Sequence, residues 1–215
     1  MTGIIVPTRR NLRALHAGIF PPEFELAFSS ATKRLARQVE ALRHQRSPTS
    51  RDQQALPRKD LAERLFDALA SAKQLTASVA MYLDPARRDR LLRHLDSLHD
   101  LAEWEEDNEP LQQSSFATFL KAMLAVNPER QPGLGLSHAG HLIGAWTTDR
   151  DRLTIEFLPN DWVKWVLARY NKEDDEPRRF AGQTPVSELT EGLTPYQPEY
   201  WFSHEQGRQR QESPR

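Results

Sequence analysis

The chain has 215 residues, of which 38% are hydrophobic, and it contains no cysteine. This length suits one medium domain or two small ones, and the lack of cysteine excludes disulfides, thiolate metal sites and cysteine nucleophiles. The net charge is −1, yet residues 1–60 carry 11 Lys or Arg against 5 Asp or Glu, a balance of +6. This end of the chain is therefore suited to an acidic partner or to an acidic region of the same protein.

The N-terminal sequence MTGIIVPTRRNLRAL places a short apolar run before its arginines, whereas a secretory signal has the opposite order. No stretch approaches the ~18 consecutive apolar residues of a membrane span. We therefore expect a cytoplasmic protein that has no membrane partner.

Residues 1–22 are predicted to be irregular, and a first helix is predicted over residues 23–44. Apolar side chains recur in it at steps of three and four residues, and basic side chains cover the other side. The apolar positions are Phe24, Phe28, Ala31, Leu35, Val39 and Leu42. Residues 45–57, which are polar and contain two prolines, are predicted to form a flexible loop.

The clearest helical pattern spans residues 61–82. Its apolar seam consists of Leu61, Leu65, Ala68, Ala72, Leu75, Val79 and Tyr82. Small side chains at Ala68 and Ala72 would allow a neighbouring helix to come close. We expect this neighbour to be the helix at 23–44, folded back as an antiparallel hairpin, or the same seam of a second chain.

Two further helices are predicted before the sheet. Asp84-Pro85 is a typical N-cap and first-turn proline, and the helix that begins there should end near His99, with leucines on its buried side. An acidic connector follows at residues 103–109. Ser114 or Ser115 is then predicted to begin a short helix that ends at Asn127-Pro128. The leucines of the first helix are Leu91, Leu92, Leu95 and Leu98, and the inner side of the second carries Phe116, Phe119, Leu120, Met123 and Leu124.

Strict alternation of apolar and polar residues predicts a β-meander over residues 133–170, with strands at 141–147, 152–158 and 163–169. One face should be buried: Leu142, Trp146, Leu153, Ile155, Phe157, Val163, Trp165 and Leu167. The other should present Ile143, Thr154, Glu156, Trp162 and Lys164. A sheet with one apolar face needs a cover. The predicted fold class is therefore α+β, with a helical hairpin and additional helices packed on a three- to four-stranded antiparallel meander.

The C-terminal part is predicted to contain a helix that begins at Thr184-Pro185 and runs through Leu193. An aromatic cluster at Tyr196, Tyr200, Trp201 and Phe202 should then dock on the domain, and residues 203–215 should be disordered. The predicted organisation is one α+β domain over residues 23–202. Its parts are the helical part 23–127, the meander 133–170 and the C-terminal helix and aromatic segment 184–202.

No catalytic, cofactor or metal site is predicted. His138 and His141 flank a turn without a third ligand nearby in sequence, and the acidic run at 103–109 lacks the glycine hinge of a cation loop. The glycines of GLGLSHAG precede a strand, whereas a phosphate loop opens a helix. Sequence motifs of hydrolases, zinc proteases and P-loop proteins are absent. An enzyme whose site is assembled from distant residues is kept as one alternative.

Basic residues near the N-terminus support a second alternative, a nucleic-acid-binding regulator. Arginines and lysines of the N-terminal region, including those along the first helix, could follow phosphates, although arginines on an amphipathic helix usually form its solvated side. The candidates are Arg9, Arg10, Arg13, Lys33, Arg34, Arg37 and Arg43.

Residues 133–167, GLGLSHAGHLIGAWTTDRDRLTIEFLPNDWVKWVL, resemble a β-meander in uncharacterised small bacterial proteins of toxin–antitoxin or defence type. Gly140, Trp146, Leu153, Ile155, Glu156, Phe157 and Val163 carry the resemblance. It implies a bacterial intracellular interaction protein and transfers no catalytic residue.

The first functional hypothesis is therefore a non-enzymatic protein-binding module, such as an antitoxin or a similar regulator, that binds a protein partner or forms a homo-oligomer. Trp162, Lys164 and Glu156 are its candidate contact residues. Two roles are expected for Trp162: it covers the neighbouring loop, or it anchors a partner. An exposed tryptophan at a sheet end is a typical anchor, because it buries a large area at small entropic cost.

Overall fold

A computed structural model describes residues 22–46, 59–100, 102, 104, 108–170 and 176–203. The chain divides into two compact units, residues 1–113 and residues 114–215. We call the first the helical unit and the second the sheet unit. Together they have the helices and the antiparallel sheet of the predicted α+β class. The prediction of a single domain over 23–202 stays a prediction, as does the packing of the helical hairpin on the sheet.

The helical unit contains α1 (Pro22–Arg46), α2 (Leu61–Ser78) and α3 (Pro85–Leu98), and a 3-10 turn (Ala80–Tyr82) follows α2. Carboxylates cap two of the helices. Asp60 accepts a hydrogen bond from the backbone N–H of Glu63 at 2.8 Å, and Asp84 accepts one from Arg87 at 3.0 Å. Each bond satisfies a donor that the first turn of a helix leaves free. The predicted helix start at Asp84-Pro85 is confirmed.

The helix predicted over residues 61–82 ends at Ser78. Five of the seven residues of its predicted seam are buried, whereas Leu61 and Tyr82 are partly exposed. Helix α2 contacts both α1 and α3. The predicted contact between the first two helices is thereby confirmed. Asp96 of α3 also pairs with Lys73 of α2 at 2.6 Å. The core side chains on α1 and along the predicted seam are Ala31, Leu35, Leu42, Leu65, Ala68, Ala72, Leu75 and Val79.

In the sheet unit, α4 (Gln113–Val126) precedes five strands that pair antiparallel in sequence order. The strands are β1 (Gly133–Leu136), β2 (Leu142–Thr148), β3 (Asp151–Phe157), β4 (Trp162–Arg169) and β5 (Arg178–Pro185). Two short helices follow, α5 (Leu189–Gly192) and α6 (Pro198–Phe202). Each comes after a 3-10 turn, at Val186–Glu188 and Thr194–Tyr196.

The sheet has one strand more than the three or four that were predicted. Thr184-Pro185 was interpreted as a helix start, but β5 continues through both residues. Thr184 lies opposite Val163 in the ladder, and the backbone N–H of Val186 donates to the carbonyl of Asp161 at 2.8 Å. Pairing with β4 therefore overrides the local capping signal, and helical geometry begins only at residue 186. The helix predicted to start at Ser114 or Ser115 likewise begins earlier, at Gln113.

One face of the sheet is the core, and all eight residues predicted to be inside are buried. The hydroxyl of Ser115 fixes α4 to this face. It donates to the carbonyl of Phe157 at 2.5 Å and accepts from the backbone N–H of Leu142 at 2.8 Å. Phe119 packs edge-on against Phe157, with ring centroids 5.1 Å apart.

The C-terminal aromatic residues dock on the sheet unit as predicted. Phe202 packs edge-on against Trp146, with ring centroids 5.2 Å apart, and Trp201 is fully buried. The carbonyl of Phe202 accepts from the backbone N–H groups of Glu129 and Arg130 at 2.7 and 3.0 Å. Helix α1 extends through residues 45 and 46, the first two of the predicted flexible loop 45–57, and it begins at Pro22, the last residue of the predicted irregular segment 1–22. The rest of both segments, and residues 204–215 of the tail predicted to be disordered, lie outside the described residues.

Candidate functional site

The three residues predicted to contact a protein partner lie on one surface, the face of the sheet opposite the core. Side chains alternate along a strand, and in β4 Trp162 and Lys164 are exposed while the residues between and after them are buried. Glu156 of β3 lies directly opposite Lys164. We call this surface the outer face. Its strand positions are 143, 145 and 147 in β2, 152, 154 and 156 in β3, 162, 164, 166 and 168 in β4, and 179, 181, 183 and 185 in β5.

The apolar part of the outer face is centred on β4. Trp162 is 41% exposed and Val166 is 46% exposed. Trp162 lies opposite Pro185, and Val166 lies opposite Ala181. The cross-strand neighbours of Trp162 and Val166 on β5 are thus a proline and an alanine, which are too small to cover them. A partner could therefore contact Trp162 and Val166 directly.

The β3–β4 turn sets the position of Trp162. Asn160 and Asp161 have φ angles of 62° and 65°, and two consecutive residues with positive φ are typical of a type I′ hairpin turn. Both carboxylate oxygens of Asp161 lie 2.7 Å from the Nζ of Lys121 on α4. The residue that precedes β4 is thus joined by an ion pair to α4, which packs on the other face of the sheet.

Glu156 contacts an imidazole as well as facing Lys164. Its Oε1 lies 2.8 Å from Nδ1 of His141, and both side chains are partly buried. The backbone N–H of His141 donates to the Ser137 hydroxyl at 3.1 Å, which holds the imidazole at the start of β2. In the part of the chain that the structure describes, no three His, Asp or Glu side chains are grouped so that they could hold a metal ion.

The charge of the outer face is mainly positive. Its strand positions carry three cations, Arg152, Lys164 and Arg179, and all three are exposed. Their counterpart is one carboxylate, Glu156, which His141 already contacts. Such a surface attracts an acidic one.

The predicted nucleic-acid residues are only partly described. Lys33, Arg34 and Arg37 are exposed on α1, where spacings of three and four residues bring side chains to one side of a helix. Arg43 belongs to α1, but its side chain lies outside the described part. Arg9, Arg10 and Arg13 precede the described residues.

A second basic helix in the same unit was missed by the sequence analysis. Helix α3 carries four arginines within seven residues, at positions 87, 88, 90 and 93. Arg90 and Arg93 are exposed, and Arg88 pairs with Asp89 at 3.0 Å. The sequence PARRDRLLRHLDSL carries this signal in the spacing of its arginines.

A buried polar cluster at the β2–β3 hairpin was also missed. The Asp151 carboxylate accepts from the backbone N–H of Tyr170 at 2.8 Å and from the Tyr200 hydroxyl at 3.2 Å. Arg169 lies 3.8 Å from the same carboxylate and over the Tyr200 ring, 5.4 Å from its centroid. Because Asp151 has its partners within the protein, this cluster is suited to joining α6 to the end of the sheet.

One histidine of the helical unit is buried. His99 lies next to Trp104, with ring centroids 6.3 Å apart, and its Nδ1 lies 2.8 Å from the carbonyl of Leu95. Burial lowers the pKa of His99 from its usual value, because an apolar environment disfavours the charged imidazole. The ring is therefore neutral near pH 7.

Comparison with known proteins gives no match to a protein-family model, to a curated protein or to a solved structure. None of the helices within the described residues combines the length and apolar content that crossing a bilayer requires.

Proposed function

We propose that this chain is a non-enzymatic bacterial protein-binding module, of the antitoxin or regulator type, and that it binds its protein partner through the outer face of the sheet. In this proposal the protein acts in the cytoplasm. Trp162 is the central contact, with Val166 beside it on the same strand face. Lys164 and Glu156 determine the orientation of the partner.

The exposure of Trp162 and Val166 is the observation that carries the proposal. Both are large apolar side chains in a regular strand, two residues on either side of Lys164. Tryptophan is enriched among the residues that dominate binding energy in protein interfaces. The hairpin turn and the Lys121–Asp161 pair hold Trp162 in position before a partner arrives, which lowers the entropic cost of binding.

The charges on the outer face indicate the chemistry of the partner. Arg152 and Arg179 lie on either side of Ala168 in the neighbouring strands. Ala168 is six residues from Trp162 along β4, which is about 20 Å at the rise of a strand. A complementary surface would therefore present an apolar pocket for the Trp162 indole and, at a similar distance from that pocket, acidic groups for the two arginines. We therefore propose an acidic protein surface as the partner.

The test is capture of a stoichiometric partner by the immobilised protein, followed by titration with the purified partner. Trp162→Ala should weaken the complex by about 2 kcal/mol, a typical hot-spot loss. Replacing Arg152 and Arg179 together by glutamate should slow association and reduce its dependence on salt.

Phe66→Ala is the matched control, because Phe66 is 71% exposed but belongs to the helical unit. This variant should bind like the parent protein. Equal losses for Phe66→Ala and Trp162→Ala would point to nonspecific apolar adsorption. A partner that binds Trp162→Ala with unchanged affinity would exclude the outer face as its site.

A nucleic-acid-binding regulator is the second candidate, and the exposed basic residues of the helical unit support it. Exposed cations occur on two of its helices, with Lys33, Arg34 and Arg37 on α1 and Arg90 and Arg93 on α3. Each lysine or arginine that neutralises a phosphate adds about 0.9 to the slope of log affinity against log salt on duplex DNA.

Fluorescence anisotropy with a labelled duplex and a labelled single strand tests this candidate over a range of salt concentrations. The triple variant Lys33→Ala, Arg34→Ala, Arg37→Ala should lower the salt slope by about 2–3 if these residues contact phosphates. The outer-face variant Lys164→Ala should leave the slope unchanged. Absence of binding by the parent protein at low salt would remove this function.

A further inference from the structure

The two edges of the sheet differ in length and in regularity. β1 has four residues, two of which are glycines. β5 has eight residues, all in register with β4 and without a bulge, and no second strand lies beside it among the described residues. Proteins usually blunt an exposed edge by shortness, bulges, proline or charge. β1 is blunted by its shortness, whereas the centre of β5, Phe180–Gln183, has none of these features.

The β5 edge is also accessible. Residues 178–181 and 183 are exposed, including the Phe180 ring at 37%. An exposed regular edge of this length presents a row of backbone donors and acceptors to another strand.

We infer that β5 pairs antiparallel with β5 of a second copy of this chain, with the two-fold axis at Gly182. The side chains of directly opposite residues in a ladder point to the same face. A β5 residue on the core side of one copy must therefore lie opposite a β5 residue on the core side of the other copy. With the axis at Gly182, Phe180 lies opposite Thr184 of the partner subunit and Ala181 lies opposite the partner subunit's Gln183. Two copies then form one sheet of twice the number of strands, and the outer faces become continuous.

Side-chain chemistry supports this register. Phe180 opposite a threonine is an aromatic–β-branched pair, one of the favourable cross-strand combinations, and it occurs twice by symmetry. The two Arg179 side chains lie six residues apart along the paired strands, about 20 Å, which is beyond the ~8 Å Debye length of physiological salt. A parallel in-register pairing would instead place each Arg179 directly beside the other.

The expected dimer is weak. One strand pair is small beside the ~1,200–2,000 Å² of a standard interface, so the dimer should form at high protein concentration. This inference does not depend on the proposed partner of the outer face, because self-pairing uses the edge and leaves Trp162 accessible.

The lack of cysteine allows a crosslinking test in the full chain. The variants Ala181→Cys and Gln183→Cys change exposed side chains of β5. Opposite residues in a ladder lie about 4.5–5.5 Å apart, within the range that a disulfide can span, whereas diagonal neighbours are too distant. Under mild oxidation, a mixture of the two variants should give a covalent dimer, and each variant alone should give little.

Val166→Cys is the matched control, because Val166 lies directly opposite Ala181 but one strand further from the edge. In a mixture with Gln183→Cys it should give no more dimer than the single variants do. A covalent dimer from Ala181→Cys alone would place the axis at residue 181 and overturn the register. No dimer from the mixture, with unchanged thermal melting of both variants, would overturn the pairing itself, as would equal dimer from the control.

Discussion

Strand β4 carries two tryptophans three residues apart that belong to different surfaces. Trp165 is 7% exposed and packs in the core, whereas Trp162 is 41% exposed on the outer face. The residue type is the same, so position along the strand decides the role of each ring. An odd spacing between two positions of a strand places their side chains on opposite faces, because neighbouring side chains alternate between the two sides of a sheet.

The surroundings of the two rings differ accordingly. Gly182 lies so close to Trp165 that a Cβ atom on residue 182 would be 2.4 Å from Cζ2 of the indole. The Tyr196 ring also packs against this indole, with ring centroids 5.6 Å apart. The core face is thus shaped to one indole, while Trp162 faces Pro185 across the ladder and solvent beyond it. The core face is therefore closely packed around its tryptophan, whereas the tryptophan of the outer face is accessible.

The largest expected effect is that of Trp165→Ala. Removing a buried indole leaves a cavity, and we expect a loss of ~3–5 kcal/mol in the free energy of unfolding. Denaturant titration followed by circular dichroism measures this loss. A loss below about 1 kcal/mol would show that the core face tolerates a cavity there, and the contrast between the two faces would fail.

A smaller loss is expected for Ser115→Ala. The Ser115 hydroxyl satisfies the Leu142 N–H and the Phe157 carbonyl at the end of the sheet. Alanine leaves both backbone groups buried without this partner, which should cost ~2–3 kcal/mol. Ser114→Ala is the control, since Ser114 is only partly buried. Equal stability of the two variants in the same titration would contradict a role for the Ser115 bridge.

Gly182→Ala tests how tightly the core face fits Trp165. The added methyl group would overlap the indole, and such overpacking costs ~1–3 kcal/mol. Gly135 in β1 has open space where a Cβ would be placed, so Gly135→Ala should change stability by no more than about 0.5 kcal/mol. Thermal melting of both variants decides the point. A neutral Gly182→Ala would mean that the Trp165 ring moves aside at little cost.

Much of the fold could be predicted because its signals are local. Asp84-Pro85 marks a helix start through capping chemistry, and the alternation in residues 141–169 assigns both faces of the meander. β5 could not be predicted in this way, because RRFAGQTP has no alternating pattern and ends in a helix-capping pair. Its strand geometry comes from pairing with β4, which is a tertiary interaction.

The candidate site shows the same limit. Alternation alone placed Trp162, Lys164 and Glu156 on one face. The contact between His141 and Glu156 depends on the register of β2 with β3, which the sequence does not specify. The Asp151–Tyr200 bond joins residues 49 positions apart. No periodic pattern reports such a contact, so the hairpin cluster could be found only in the folded chain.

The smallest expected effect on stability is that of Trp162→Ala. Trp162 is exposed and begins its strand, so truncation removes little packing, and the free energy of unfolding should change by no more than about 0.5 kcal/mol. Its effect on the partner complex should be the reverse, with a loss of ~2 kcal/mol. Measuring both quantities on Trp162→Ala and Trp165→Ala separates the two faces. A large stability loss for Trp162→Ala would mean that its ring supports the hairpin turn, and the outer face would then belong to the scaffold as much as the core face does.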